Sequence, residues 1–334
     1  MYSFTASRPS NIALVKYRGK KPNQQQIPQN PSVSLTLQNC RTHMTLTAKD
    51  VTKNDSNEMT VNLVFENKQH HPFGDKIHRY LKWLQSDFPF LIAKDITIES
   101  NNTFPHSSGI ASSASAFACL ADLIIQRHNH LYPDSPKSLQ DMSHIARLGS
   151  WSACRSVFEW LVTRWDTSNL YASPIAKTNI HPNFATIYDS VVIVSQEEKE
   201  TSSRIWHSLM DNHPYAQVRY TQATNNTQKI LTAFTQWDRA TRGHIVEQEA
   251  LELHAMMFTS DPHTILRQPD TLRIIHLVRE YRNKTWADIY YTIDAWCNVH
   301  ILSRQQLAQE LTKDFLDQIW CDIIFDKCEL LLSS

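Results

Sequence analysis

The sequence predicts an α+β fold in which sheets and helices are segregated rather than alternating, and three observations carry that expectation. Residues 33–49, "VSLTLQNCRTHMTLTAK", and 59–66, "MTVNLVFE", alternate apolar with polar side chains, the two-residue period of half-buried antiparallel strands. Helical-period segments crowd the second half of the chain, near 200–211, 215–236, 241–258 and 271–283. Neither a βαβ repeat nor a heptad array is present.

Taken in order, the basic segment "NIALVKYRGKK" (11–21) reads as an edge strand, where solvated cations commonly block further strand addition. The two alternating strands follow, then a helix over 75–87 with Ile77, Tyr80, Leu81 and Leu84 on one face. "ITIES" (96–100) is a strand that runs into the loop "NNTFPHSS", and 109–126 is a helix with small residues first and larger apolar ones later. Shorter helices are expected at 137–148 and 150–161, and 167–184 has the loose composition of a linker. A second domain then opens with the strand "SVVIVS" (190–195) and, after its helices, closes with a strand at 289–293, "NVHIL", and a helix near 304–319. The expected boundaries are therefore 1–184 and 185–334.

Composition narrows the function classes. With 334 residues and 41% hydrophobic content there is ample material for a packed core. Lys plus Arg and Asp plus Glu cancel at 33 each, so no overall field favours nucleic acid or an anionic membrane, and a small ligand in a local pocket is expected. The six cysteines fall in no zinc-like spacing and read as reduced thiols. The first residues lack the pattern of a secretory signal, and no apolar run approaches a membrane span, so the expected location is the cytoplasm. Glycine is scarce, at 5 where average usage gives about 23, so some tight turns must be built from other residues or under strain.

Four segments carry candidate chemistry. In "PHSSGIASSASA" (105–116) a turn leads into a helix through small residues and hydroxyls. Helix N-terminal amides and the helix dipole suit a phosphate there, while close packing of small residues explains the same pattern without a ligand. "GSWSACRS" (149–156) offers Arg155, a rigid fork for carboxylate or phosphate, or else an ordinary ion-paired residue. Lys16, Tyr17, Arg18, Lys20 and Lys21 crowd the third segment. The fourth is Asp294, at the end of a strand in "YYTIDAWCNVHIL", where an acid serves as a cap, a turn residue or a general base.

In the order "SNIALVKYRGK", "IPQNPSVSLTL", "NTFPHSSGIASSASAFA", "ARLGSWSACRS", "ETSSRIWH", "EALELHAMMFTS" and "YYTIDAWCNVH", the chain resembles the GHMP small-molecule kinases. Within them it is most similar to the diphosphomevalonate decarboxylases, over nearly its whole length. That resemblance implies an N-terminal domain like ribosomal protein S5, carrying the phosphate loop, and a C-terminal ferredoxin-like domain. It implies ATP and Mg²⁺ as cofactors, mevalonate 5-diphosphate as substrate, isopentenyl diphosphate as product and a homodimeric assembly. It implies Asp294 as base with Lys16 beside it, and Arg155 on the substrate carboxylate. Ser107, Ser108, Gly109, Ser112, Ser113 and Ser115 would cradle ATP phosphates. Asn11, Tyr17, Lys20, Ser150, Ser152, Ser203 and Arg204 would complete the substrate site.

The chain departs from the family pattern mostly at glycines. Arg18 replaces Trp in "KYWGK", Trp151 stands at a glycine of "GSGSACRS", Glu159 and Trp160 replace small residues, and Trp296 and Cys297 replace Gly-Pro or Gly-Ala. An indole at such a position is expected to take up substrate space or to strain a backbone built for positive φ. The same residues fit two other outcomes: a kinase that phosphorylates without decarboxylating, and a member that binds ligand without turnover.

Overall fold

The computed structural model describes residues 1–21, 27–51, 58–69, 71–105, 109–159, 162–166, 170–197, 208–304 and 321–329. A first sheet of seven strands is built from β1 (Tyr2–Val15), β2 (Ser32–Asp50), β3 (Thr60–Phe65), β4 (Lys68–Gln69), β5 (Lys94–Asn102), β6 (Val162–Trp165) and β7 (Ser173–Pro174). Its order is β4-β3-β5-β2-β6-β7, with β1 paired along β2. The helices α1 (His71–Leu84), α2 (Ser112–Leu131), α3 (Leu139–Gly149) and the single turn α4 (Ala153–Ser156) belong to the same half.

A second sheet of four strands has the order β11-β8-β10-β9, from β8 (Thr186–Ile193), β9 (Ile289–Thr292), β10 (Val299–Ser303) and β11 (Asp322–Glu329). Its helices are α5 (Ala216–Gln236), α6 (Arg239–Phe258) and α7 (Pro269–Thr285). Both sheets are antiparallel apart from the β3–β5 pair, so the α+β order read from the sequence is the one that forms.

Periodicity explains most elements. Helix α1 buries the expected Ile77, Tyr80, Leu81 and Leu84 and starts at His71 rather than 75. Helix α2 is buried on nearly every face from Ala114 to Ile125, its alanines letting it lie close against the first sheet. Helix α3 begins with a capping box, in which Ser138 accepts from the Asp141 amide and the Asp141 carboxylate accepts from the Ser138 amide.

Three expectations change. The helix expected over 150–161 is only the turn α4, because the chain turns off to form β6 against Ser32–Leu35 of β2. Strand β1 starts at Tyr2 and stops at Val15, and Lys16 and Arg18 beyond it are 3% and 2% exposed, so they are not solvated edge charges. Strand β11, absent from the sequence reading, pairs with β8 along its full length. The helix expected near 304–319 lies outside the described residues, as does most of the one near 200–211.

The two sheets share a core. Ile12, Leu14, Val33 and Leu35 of the first pack in one cluster with Ile187 and Val191 of the second and with Ile230, Phe234 and Val246 from α5 and α6. All six cysteines are free thiols, as expected. No helix of the described residues is long and apolar enough to cross a membrane.

Candidate active site

The end of β1 delivers the first functional group. Past Val15 the backbone of Lys16 is held on both sides: its amide donates to Glu249 Oε2 at 2.8 Å, and its carbonyl accepts from Arg219 Nη2 at 2.9 Å and Asn30 Nδ2 at 3.0 Å. Glu249 is itself held by Arg219 and by Asn226 Nδ2 at 2.8 Å, so α5 and α6 together fix this stretch. With its main chain pinned, Lys16 extends its ammonium to Asp294 Oδ1 at 2.6 Å.

Asp294 sits in the connection between β9 and β10, where the antiparallel pairing of His300 with Thr292 brings the strand ends together. That loop is anchored at four points. His254 Nε2 donates to the Asp294 carbonyl at 3.1 Å, and the Trp296 amide to the same oxygen at 2.7 Å. The Thr271 hydroxyl donates to the Cys297 carbonyl at 2.7 Å, and Asn298 Oδ1 accepts from the Val194 and Ser195 amides. Burial, then the charge of Arg267, pushes the His254 pKa down to about 3, so its ring is a neutral donor to that carbonyl. The Asp294 side chain keeps 24% exposure while its lysine partner keeps 3%, so the carboxylate is the accessible member of the pair.

Arg155, on α4, is 2% exposed, and its partners among the described residues are neutral. Nε donates to Ser34 Oγ at 2.9 Å, Nη1 to Ser32 Oγ at 2.7 Å and Nη2 to Asn11 Oδ1 at 3.3 Å. Asn11 is oriented for this by donating to the Ser152 carbonyl at 3.0 Å and to Ser156 Oγ at 2.7 Å. The Arg155 guanidinium lies 5.5 Å from the Tyr17 ring centre. Burial raises the Tyr17 pKa to about 12 against the opposing charge of Arg155, so its phenol stays protonated near neutral pH.

The serine loop meets the same region. Ser10 donates to the Ile110 carbonyl, tying β1 to the loop. Gly109 has φ +84°, and a Cβ there would meet the Trp296 Cβ at 3.3 Å. Ala111, at φ +47°, precedes α2 and gives that helix start no side-chain cap. Ser113 and Ser150 share a hydrogen bond at 3.1 Å, whereas the buried Ser115 hydroxyl is engaged by Thr42 Oγ1 at 2.6 Å and Ser112 remains half-buried. Ser107, Ser108, Ser203 and Arg204 lie outside the described residues. Lys20 stands at the half-buried end of the segment, bridged to Pro28.

The departures from the family pattern take definite places. Trp151 is 6% exposed, stacked on Tyr17 with ring centres 5.5 Å apart and set edge-on against Trp165, so it belongs to the core of the first half. Trp296 backs the glycine of the serine loop, and Glu159 forms an ion pair with Arg41 at 2.7 Å. Neither Trp151 nor Trp296 has a positive φ. The expected strain instead falls on Ala93, Ala111, Trp237 and Trp286, among others. Arg18 is buried in place of the indole, and burial lowers its pKa to about 10.

Sequence reasoning missed Arg219, Asn226, Asn30, Glu249 and His254. Asn30, Glu249 and His254 lie inside the quoted segments "IPQNPSVSLTL" and "EALELHAMMFTS", which marked the places without assigning roles. Arg219 and Asn226 lie on a helix with no local signal. Among the described residues no three His, Cys, Asp or Glu side chains converge as a metal cage. Hydroxyls beside an uncapped helix start suit a hard cation that keeps its own water and phosphate ligands.

Comparison with known proteins fits this geometry. A mevalonate diphosphate decarboxylase from Staphylococcus aureus superposes with a TM-score of 0.84 at 27% identity, covering 99% of this chain and 96% of that one. A structure described as MDDEF in complex with MVAPP, AMPPCP and magnesium gives a TM-score of 0.84 at 25% identity, covering 98% and 97%. Fold and site therefore define an α+β protein of the GHMP-kinase type, with a buried lysine paired to an accessible carboxylate.

Two family models divide most of the chain between them. The "Diphosphomevalonate decarboxylase-like N-terminal domain" matches residues 8–176, and the "Mevalonate 5-diphosphate decarboxylase C-terminal domain" matches 190–324. The chain belongs to the diphosphomevalonate decarboxylase family. A curated diphosphomevalonate decarboxylase from Ganoderma lucidum is 28% identical over 336 residues, covering 94% of this chain and 81% of that protein.

Proposed function

We propose that the protein decarboxylates mevalonate 5-diphosphate in an ATP-dependent reaction, giving isopentenyl diphosphate, ADP, phosphate and CO₂. The observation that carries this reading is the Lys16–Asp294 pair, in which a buried lysine positions an accessible carboxylate, the group a general base needs. Asp294 accepts the proton of the substrate 3-hydroxyl as that oxygen attacks the terminal phosphorus of ATP and the bond to ADP breaks. The C3–O bond then cleaves to release phosphate, and the electrons of the bond to the carboxylate form the new double bond as CO₂ leaves.

Arg155 holds the departing carboxylate; the neutrality of its partners supports this, because a buried guanidinium among hydroxyls and an amide has charge left for a ligand. Tyr17, Lys20, Ser203 and Arg204 take the diphosphate, with Asn11, Ser150 and Ser152 lining the site. Ser107, Ser108, Gly109, Ser112, Ser113 and Ser115 form the nucleotide loop, supported by the uncapped start of α2. Mg²⁺, when bound with the nucleotide, offsets phosphate charge during transfer.

The division of labour is 1–184 for the nucleotide loop and 185–334 for the base, supported by the separate sheets of the two halves. The partner is a small molecule rather than nucleic acid, the working assembly a homodimer and the location the cytoplasm; balanced charge supports the first of these. Incubation with ATP, Mg²⁺ and mevalonate 5-diphosphate tests the reaction, with equal amounts of ADP, phosphate and CO₂ expected. A stable 3-phosphorylated product would overturn it in favour of a kinase, and nucleotide binding with no ADP formed would leave a ligand-binding protein.

A further inference from the structure

One helix holds both partners of the Lys16–Asp294 pair. From α6, Glu249 accepts the Lys16 amide at 2.8 Å, and His254 donates to the Asp294 carbonyl at 3.1 Å. Positions 249 and 254 of a helix lie about 7.5 Å apart along its axis and roughly 140° apart around it, so one flank of α6 fixes the end of β1 and another fixes the loop after β9. Both side chains are fully buried, and Leu253 and Met257 of the same helix pack with Ala295, the residue after the carboxylate. The 2.6 Å contact between ammonium and carboxylate is therefore spanned by a rigid element anchored at Glu249 and His254.

Of the four anchors on the loop, His254 acts on Asp294 itself from a separate element. The Trp296 amide belongs to the same turn and travels with it, while Thr271 and Asn298 fix the chain at Cys297 and beyond. The proton of the ring is placed as well. A carbonyl only accepts, so Nε2 carries the hydrogen; Nδ1 is shut from solvent with no partner among the described residues, and burial, with the charges of Arg267, Arg18 and Lys16, opposes a second proton there. The ring is thus one neutral tautomer with a single donor. Such a donor orients Asp294 without adding a charge that would compete with Lys16 for the carboxylate.

We infer that His254 is a positioning residue for the proposed base: by donating from Nε2 to the Asp294 carbonyl it holds the carboxylate at its contact with Lys16, with α6 as the common support. The inference rests on the reading of Asp294 as the base. Three substitutions separate the donor from the bulk of the ring. The side-chain amide nitrogen of Gln falls where Nε2 stands and that of Asn where Nδ1 stands, whereas Leu fills the space with no donor.

Steady-state kinetics and crystal structures of the ligand-free variants test it. His254→Asn and His254→Leu are expected to lower kcat at least about tenfold, with the KM for mevalonate 5-diphosphate and for ATP within about threefold, because even about 1 Å of displacement in a positioned group costs on the order of 10²-fold in rate. His254→Gln is expected to restore kcat to within about threefold of wild type. Without ligand, the Lys16 Nζ to Asp294 Oδ1 contact, 2.6 Å in wild type, should open beyond hydrogen-bond range in the Asn and Leu variants and persist in the Gln variant. If His254→Leu fails to fold, His254→Asn carries the comparison. Wild-type kcat in a folded Asn or Leu variant, a loss carried by KM alone, a Gln variant as impaired as Leu, or a contact unmoved in Asn and Leu overturns the inference. Should wild type release no CO₂ while the contact opens in Asn and persists in Gln, the reading of the base fails and the positioning of the carboxylate by His254 stands.

Discussion

At Asp294, exchanging one carboxylate oxygen for an amide nitrogen keeps the shape of the loop and removes the proposed base. Asp294→Asn is expected to lower kcat by roughly 10²- to 10⁴-fold, with the KM for mevalonate 5-diphosphate within a few fold; single-turnover ADP release measures the first and initial rates the second. His254 gives a second, pH-dependent outcome. Its folded pKa, near 3, lies below the unfolded value of 6.5, so between these values the unfolded chain binds a proton that the folded chain refuses. Stability therefore falls as pH falls through this window, by up to about 1.4 kcal/mol per pH unit from this one group. His254→Gln retains an N–H for the Asp294 carbonyl without titrating, so urea midpoints at pH 7 and pH 5 should differ less in the variant than in wild type. At this scale the sequence offered the chemistry but not its setting. Asp294 and Arg155 stood out as residue types, whereas the burial that neutralises His254 depends on α6 packing against a loop 40 residues further along.

Among the elements, the pinning of β1 by α5 and α6 has the largest expected energetic signature. Removing the Glu249 charge by Glu249→Gln leaves Arg219 buried with, among the described residues, the partly buried Glu252 alone to answer it, and a loss of about 3 to 5 kcal/mol is expected in urea unfolding. The glycine shortage has a signature of opposite sign. Helix α7 ends on Trp286 at φ +58°, 89% exposed, where glycine normally stands. Trp286→Gly relieves that strain without touching the core and should raise stability by about 0.5 to 1 kcal/mol in the same assay. Long elements were legible because their burial leaves a pattern over many residues: α1, α2, β2 and β5 all form over the segments it marked, with helix ends displaced by three to five residues. The four-residue α4 and β6 are too short to carry a period, and β6 exists because its partner lies about 130 residues earlier in β2.

For the whole molecule, the two sheets are joined by more than shared apolar residues. The Asp326 carboxylate of β11 accepts the backbone amides of Gln38, Asn39 and Cys40 in β2, at 2.6 to 3.1 Å. Asp326→Ala strands three amides near the junction and should cost at least about 2 kcal/mol, read by calorimetry as a lower midpoint and a broader transition as the halves melt less cooperatively. The α+β class and the family were legible because motif segments survive along the whole length, and the junction was not, since it joins residues nearly 290 positions apart. Lys16 and Asp294 are separated by 278 positions. At synthesis rates of about 5 to 20 residues per second, the lysine emerges on the order of 14 to 56 s before its carboxylate. Once residue 116 has been added, the nascent chain holds its serine loop and lysine without the carboxylate proposed as their base. Translation that halts before residue 294 leaves a polypeptide with every strand of the first sheet and without the proposed base, so on that proposal catalysis is itself a report that synthesis ran past that point.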